Sequence, residues 1–388
     1  MKKQFVKAIL FNSIFSMLFA QNASDGLKKF IKGNISDKTQ AVKESTGSEA
    51  GLLSTRGIDF VVTNQPLLKD DRELSALAVA SILALPKEAD ALRQIPDLNK
   101  SLIDIFNMFS DSTVRISVLD KLAEISDSND NSAVVLMNDY LSKADVSKEP
   151  GEIVEKTIVC LGQIGDSSSF RIIYNGWKTG RFTQWQASAE NSLIQLSTAH
   201  KSEVTKLITE SNVVELSNFF ELIQKKSQIP KEFKAEIAEN ALSVAIYNTE
   251  DFSGNMSESV KLQLNCLNTI AEANWTRAAK LAVRFFALAK EEYLKNILSE
   301  SQFVQVIHDI AKLASTDSAQ TLSGYLAEMN KNAEKNIIPA RNVVLAVIES
   351  LGALGDKSAF DNLLYVTYLN YPEEVKSMAR SSLAKLRW

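Results

Sequence analysis

Two histidines and two cysteines bound the chemistry open to this chain of 388 residues. His200 follows Thr198-Ala199 at the end of a helical pattern, where a cationic ring complements the negative helix terminus. His308 lies inside the helical string Phe303-Val-Gln-Val-Ile-His-Asp-Ile310. Neither has a second histidine one turn further on, and neither is followed by glutamate. A zinc or di-iron site built on helices needs that clustering, so both read as structural or surface residues. Cys160 and Cys266 stand in the apolar strings Ile158-Val-Cys-Leu161 and Leu264-Asn-Cys-Leu267, and both read as buried structural thiols. The sequence has no Gly-x-Ser-x-Gly elbow and no Gly-x-x-x-x-Gly-Lys phosphate loop. The expectation is a non-catalytic protein with no cofactor and no metal.

The stretch from Phe170 to Trp185 is richer in contact-forming side chains. It holds Phe170, Arg171, Tyr174, Trp177, Lys178, Arg181, Phe182 and Trp185. Large aromatic and guanidinium side chains dominate interface energetics, so Arg171, Trp177, Arg181 and Trp185 are the candidate partner-binding residues. Phe170, Tyr174 and Trp177 also follow the i, i+4, i+7 spacing of a core stripe. Arg181 and Trp185 flank the Gly180 break and are the two expected at the surface. Tyr365, Tyr368 and Tyr371 form a second aromatic group open to the same two readings.

The elements that position these residues are helices in repeated pairs. Val159-Cys-Leu-Gly-Gln-Ile-Gly-Asp-Ser-Ser-Ser-Phe170 and Glu349-Ser-Leu-Gly-Ala-Leu-Gly-Asp-Lys-Ser-Ala-Phe360 superpose at Leu, Gly, Gly, Asp and Phe. In the later copy, Val343, Val347, Ile348, Leu351 and Leu354 give one helical face. Gly355 suits the left-handed stop, and Asp356 the N-cap of a second helix with Phe360, Leu363, Leu364 and Tyr368 on one side. Pro372, Glu373 and Glu374 open a third, with Val375, Ala379 and Leu383 in register. One such pair cannot bury its own stripe and must stack on neighbours.

Leu351-Gly-x-Leu-Gly-Asp-x-x-Ala359 and Val375-Lys-x-x-Ala-x-x-x-Leu-x-x-Leu386 resemble HEAT repeats, most closely the HEAT-like variety first noted in phycobilin lyases. Val114-Arg115 through Leu122 to Ile125 fits the same register, whereas Lys376 and Glu155 replace the arginine usual after the valine. The resemblance implies an all-α fold, an alpha-alpha superhelix of the HEAT-repeat solenoid type. HEAT-like hydroxylases carry repeated His-Glu pairs, which this chain lacks. HEAT-like DNA glycosylases place Trp, Arg and Asp on a basic surface, whereas this chain has a net charge of −4. That charge gives no electrostatic footprint for nucleic acid.

Anchoring on Leu161 and Leu351 places equivalents at Ile82, Leu122, Leu267 and Ile310, with gaps of 40, 39, 106, 43 and 41 residues. The short gaps match two-helix units of about 40–47 residues, and seven to nine repeats are expected. Met1-Lys-Lys-Gln-Phe-Val-Lys7 and the apolar run Ala8 to Ala20 have the form of a secretory signal peptide, too short to remain as a membrane span. Residues 1–20 are thus expected to be removed. Residues 21–35 are polar and expected to be flexible, and 36–388 form the array, irregular around 200–255. The functional expectation is an exported, periplasmic scaffold that binds a protein partner through the inner, concave row of helices and can self-associate. The alternative is a HEAT-like enzyme acting on an envelope or nucleic-acid substrate.

Overall fold

The computed structural model describes residues 24–387 apart from 70, 89, 90, 93, 127–129, 250, 251, 253 and 254. The segment expected to be a signal peptide lies outside the described residues. Twenty α-helices make up the described chain, with no β-sheet and one isolated bridge between Asp356 and Arg387. Two compact units divide it, one ending at Leu196 and the other beginning at Ser197.

In the first unit, α1 is Asp25–Lys32, α2 Ile35–Glu44, α3 Gly47–Leu68, α4 Arg72–Leu83 and α5 Leu98–Met108. It continues with α6 Ser112–Ile125, α7 Ser132–Lys143, α8 Gly151–Ile164, α9 Ser167–Lys178 and α10 Gln186–Ala199, whose last turn crosses the boundary. Alternate helices stack in two rows. One row is α2, α4, α6 and α8, and the other is α1, α3, α5, α7 and α9. Helix α10 joins the first row, because the Ser192 hydroxyl donates to the Ile158 carbonyl of α8 at 2.9 Å.

The second unit repeats the scheme with α11 Lys201–Glu210, α12 Val213–Lys225, α13 Lys231–Tyr247, α14 Met256–Glu272 and α15 Ala279–Leu294. It closes with α16 Glu300–Lys312, α17 Thr316–Glu334, α18 Arg341–Leu354, α19 Phe360–Val366 and α20 Glu373–Leu383. Here α12, α14, α16, α18 and α20 form one row, and α11, α13, α15, α17 and α19 the other. Each unit therefore holds ten helices among the described residues, counting α10 with the first. In the middle expected to be irregular, α11 packs on α13, and α12 packs on α13 and α14.

The register read from sequence is physical. Ile82, Leu122, Leu161, Leu267, Ile310 and Leu351 are all 0% exposed. They sit on α4, α6, α8, α14, α16 and α18, every one in the same kind of row. Each inter-row seam is closed by such residues, and full burial of one aliphatic side chain stabilises by about 2 kcal/mol.

The glycines of the repeated string do more than end helices. Gly355 takes φ +66° and terminates α18, as expected, but Gly165 is extended at φ −67°, ψ 162°. Gly162 and Gly352 lie inside their helices, where a Cβ would come within 2.5 Å of Ser192 Oγ and Ser382 Oγ respectively. They let the next helix of the row approach closely.

The segment expected to be flexible contains a docked helix. Ser24 accepts from the Leu27 amide to start α1, and Phe30 is 5% exposed. Lys38, itself buried, lies 5.2 Å from the centroids of both the Phe30 and Phe60 rings and donates to the Phe30 carbonyl at 2.5 Å. One aromatic anchor and one capped carbonyl offset the polar composition around them.

Candidate functional site

Helix α9 carries the sequence-derived candidates. Asp166 starts it by accepting from the Ser168 and Ser169 amides at 2.9 and 3.0 Å, and Ser169 Oγ accepts the Asp166 amide in return. Burial pushes the Asp166 carboxyl up, but the hydrogen bonds from Ser168 and Ser169 together hold it below its usual range. Along the helix Phe170 stacks on Tyr174 at 6.2 Å, and Tyr174 meets Trp177 at 6.0 Å. Phe170 and Tyr174 are core, while Trp177 and Arg171 are half-buried. Six residues separate Arg171 from Trp177, which turns them to different sides of α9.

Beyond the Gly180 break, at φ +75°, the chain turns back on itself. The Phe182 ring lies against Gly176, where a Cβ would be 2.0 Å from it. Arg181 is half-buried, and its Nη2 donates to the Ala144 carbonyl at 2.6 Å. Trp185 is not at the surface: it is 8% exposed and packs against Gly151 at the start of α8. The expectation of exposure fails because the α7–α8 connection covers the turn. Arg181 and Trp185 are brought together as a clamp on that connection, at Ala144 and Gly151. Lys178, at the end of α9, is exposed and lies 5.5 Å from the centroid of the Tyr174 ring.

The tyrosine group divides. Tyr371 is 4% exposed, whereas Tyr365 and Tyr368 are 42% and 75% exposed. Tyr365 donates to Glu334 at 2.6 Å, which brings the C-terminal ends of α17 and α19 side by side. Two neighbouring ends are also apolar at the surface, Leu294 after α15 and Ile337 after α17. Both line a cavity of about 360 Å³ with Tyr293, Tyr325 and Met329. Lys290 and Glu328 pair across it at 3.1 Å.

A concavity in the first unit was not foreseen from the sequence. It is a groove of about 800 Å³ whose floor is one face of α4, formed by Ala76, Val79 and Leu83. Lys43 and Arg72 add the cations. The signal was present as the i, i+4, i+7, i+11 series Arg72, Ala76, Val79 and Leu83, but α4 is apolar on nearly every side. Periodicity alone therefore cannot tell its packed face from its open one.

The remaining chemistry-bearing groups are internal. His308 is half-buried, with Nδ1 3.5 Å from Ser350 Oγ. Cys160 and Cys266 are buried and free, and burial raises the Cys160 thiol to about 11. Glu292 is 0% exposed, with both carboxyl oxygens unpartnered, and burial lifts its pKa to about 7 while Gln263 pulls less strongly the other way. No group of three His, Cys, Asp or Glu side chains that could hold a metal occurs among the described residues. Among these same residues, no helix is long and apolar enough to cross a membrane. The arrangement offers concave and apolar contact surface on stacked helices, which is what recognition of another molecule requires. No protein-family model matches the chain, and no curated protein matches it either.

Proposed function

We propose that this chain is a HEAT-repeat binding scaffold, exported to the periplasm, that recognises a protein partner. One observation carries the reading: three large apolar side chains left at the surface line concavities on the stacked helices. Leu83 is 68% exposed and lines the groove of the first unit, and Leu294 and Ile337 are 66% and 61% exposed beside the cavity of the second. Single exposed leucines are ordinary, but apolar clusters in concave sites mark interaction surfaces. The HEAT assignment rests on the Leu-Gly-x-Leu-Gly-Asp strings and on the alternate stacking of helix pairs. The location rests on the basic start and short apolar run of residues 1–20.

The test is a photo-crosslinkable residue at Leu83, at Ile337, and at the exposed polar position Glu232 as a control. After illumination in the native cells, Leu83 or Ile337 should give a discrete adduct that Glu232 does not. Adducts from neither apolar site would overturn the binding reading.

A further inference from the structure

We infer that Thr249, Gln263 and Glu292 form a proton-operated latch, which holds the last turn of α15 closed while the Glu292 carboxyl is neutral and releases it when that carboxyl ionises. The inference goes beyond the binding reading and does not depend on it. Thr249, just after α13, is 1% exposed, and Gln263 of α14 and Glu292 of α15 are 0% exposed. Thr249 Oγ1 donates its proton to the Ala245 carbonyl at 2.8 Å, so toward Gln263 it can only accept, and Gln263 Nε2 donates to it at 2.8 Å. That pairing sets the amide and leaves Gln263 Oε1 buried without a donor, while both Glu292 carboxyl oxygens are buried without a partner. Gln263 is also the polar side chain that acts on the Glu292 carboxyl. A neutral acid carries the O–H donor that Gln263 Oε1 lacks, and a carboxylate carries none. A buried, unpaired carboxylate is far costlier than a buried acid, so ionisation favours a movement that returns it to water.

The backbone ties this carboxyl to a turn. The Glu292 carbonyl accepts the Ile297 and Leu298 amides at 2.8 and 3.2 Å, across Asn296 at φ +57°. A side chain leaving for water therefore pulls on the turn that its own carbonyl closes. The same turn supplies Tyr293 and Leu294 to the cavity beside Ile337, so opening it removes one wall. Glu292 also lies in the last turn of α15, where the negative helix end opposes an anion. Charges on the surrounding helices are engaged elsewhere. Glu239 of α13 pairs with Arg277 at 2.8 Å, and Lys261 of α14 with Glu221 at 2.5 Å. Asp309 of α16 pairs with Lys312 at 2.9 Å, and Glu328 of α17 with Lys290 at 3.1 Å. His308 of α16 turns to Ser350, 3.5 Å away, and Lys295 lies over the Phe252 ring at 3.3 Å. Among the described residues, burial and Gln263 alone act on the Glu292 carboxyl.

The test is hydrogen exchange of the full chain at about pH 5.5 and about pH 8.5, corrected for the intrinsic effect of pH on exchange. A carboxyl that titrates at 4.5 when open and at about 7 when closed lowers the protection of the Ile297 and Leu298 amides about thirtyfold over that interval. Their exchange should hardly respond to dilute urea, because a local opening exposes little surface. Glu292→Gln should remove the pH dependence, and Glu292→Met, of similar volume, makes the same test where glutamine is not tolerated. Equal protection at the two pH values in the natural chain overturns the proposal without recourse to any variant. Full pH dependence in either variant overturns it by placing the proton on another group. Strongly urea-dependent exchange of the two amides overturns it as well, since the event would then be global unfolding.

Discussion

Glu292 shows what burial does to a single group. Its carboxyl is fully buried, and that burial outweighs the opposing pull of Gln263, so the neutral acid is favoured and the pKa rises from 4.5 to about 7. Below pH 4.5 the folded and unfolded forms are both protonated and the group is neutral to stability. As pH rises the unfolded chain releases its proton first, so stability falls up to about pH 7 and then levels. The loss is on the order of 3 kcal/mol for this group. Urea unfolding across that window should show the decline in the natural chain, and Glu292→Gln should flatten it. An unchanged slope in the variant would place the proton elsewhere. The thiols follow the same physics. Burial raises Cys160 to about 11 and Cys266 well above its ordinary value, so neither forms thiolate readily. Alkylation followed by mass measurement should modify neither in the folded chain and both in denaturant. Non-reducing peptide mapping that joined Cys160 to Cys266 would refute the row register, which assigns them to different helix pairs.

At the scale of elements, small residues set how close neighbouring helices of a row can come. Gly352 meets Ser382 Oγ, Cβ and Cα at 2.5, 2.7 and 3.0 Å from where its own Cβ would be. Gly352→Ala should therefore push α18 from α20 and destabilise by about 1–3 kcal/mol, the usual range for overpacking. Ser382→Gly in the same chain removes two of the three clashing atoms and should restore part of the loss, read as the denaturation midpoint. Lack of any recovery would mean that relief of the Ser382 contact is not what Gly352 supplies. Gly162 and Ser192 make the equivalent contact between α8 and α10, so the Leu-Gly of the repeated string records helix spacing. The turn at Gly180 is a different device. Arg181 and Trp185 fold back to hold the α7–α8 connection, while Phe182 packs on Gly176 of α9.

For the whole molecule, two claims about fate and role can be checked independently. The basic start and apolar run of residues 1–20 predict removal on export. Intact mass of the protein recovered from its native envelope should lack at least those residues, whereas a full-length mass in the cytoplasm would remove both the export and the periplasmic proposals. With Lys2, Lys3 and Lys7 gone the net charge falls from −4 to −7.

The sequence by itself determined the helical class, the caps and the row register, because each depends on local spacing. Leu161 and Leu351 were fixed by the repeated string, Ile82, Leu122, Leu267 and Ile310 were placed from them, and all six are fully buried. Asp166 and Asp356 could be named as caps because an N-cap needs only its own next residues. Tertiary structure decided exposure. Trp185 looked like a surface residue beside a glycine and is covered by the α7–α8 connection. Phe30, in a polar segment, is buried, with Lys38 of α2 lying over its ring. Tyr371 is buried while Tyr368 is 75% exposed, though only three residues separate them. The α4 groove and the neutral Glu292 likewise depend on which neighbours are present and how closely they come. A side chain's type and period are fixed along the chain, but the water it keeps or loses is set by residues far from it in sequence.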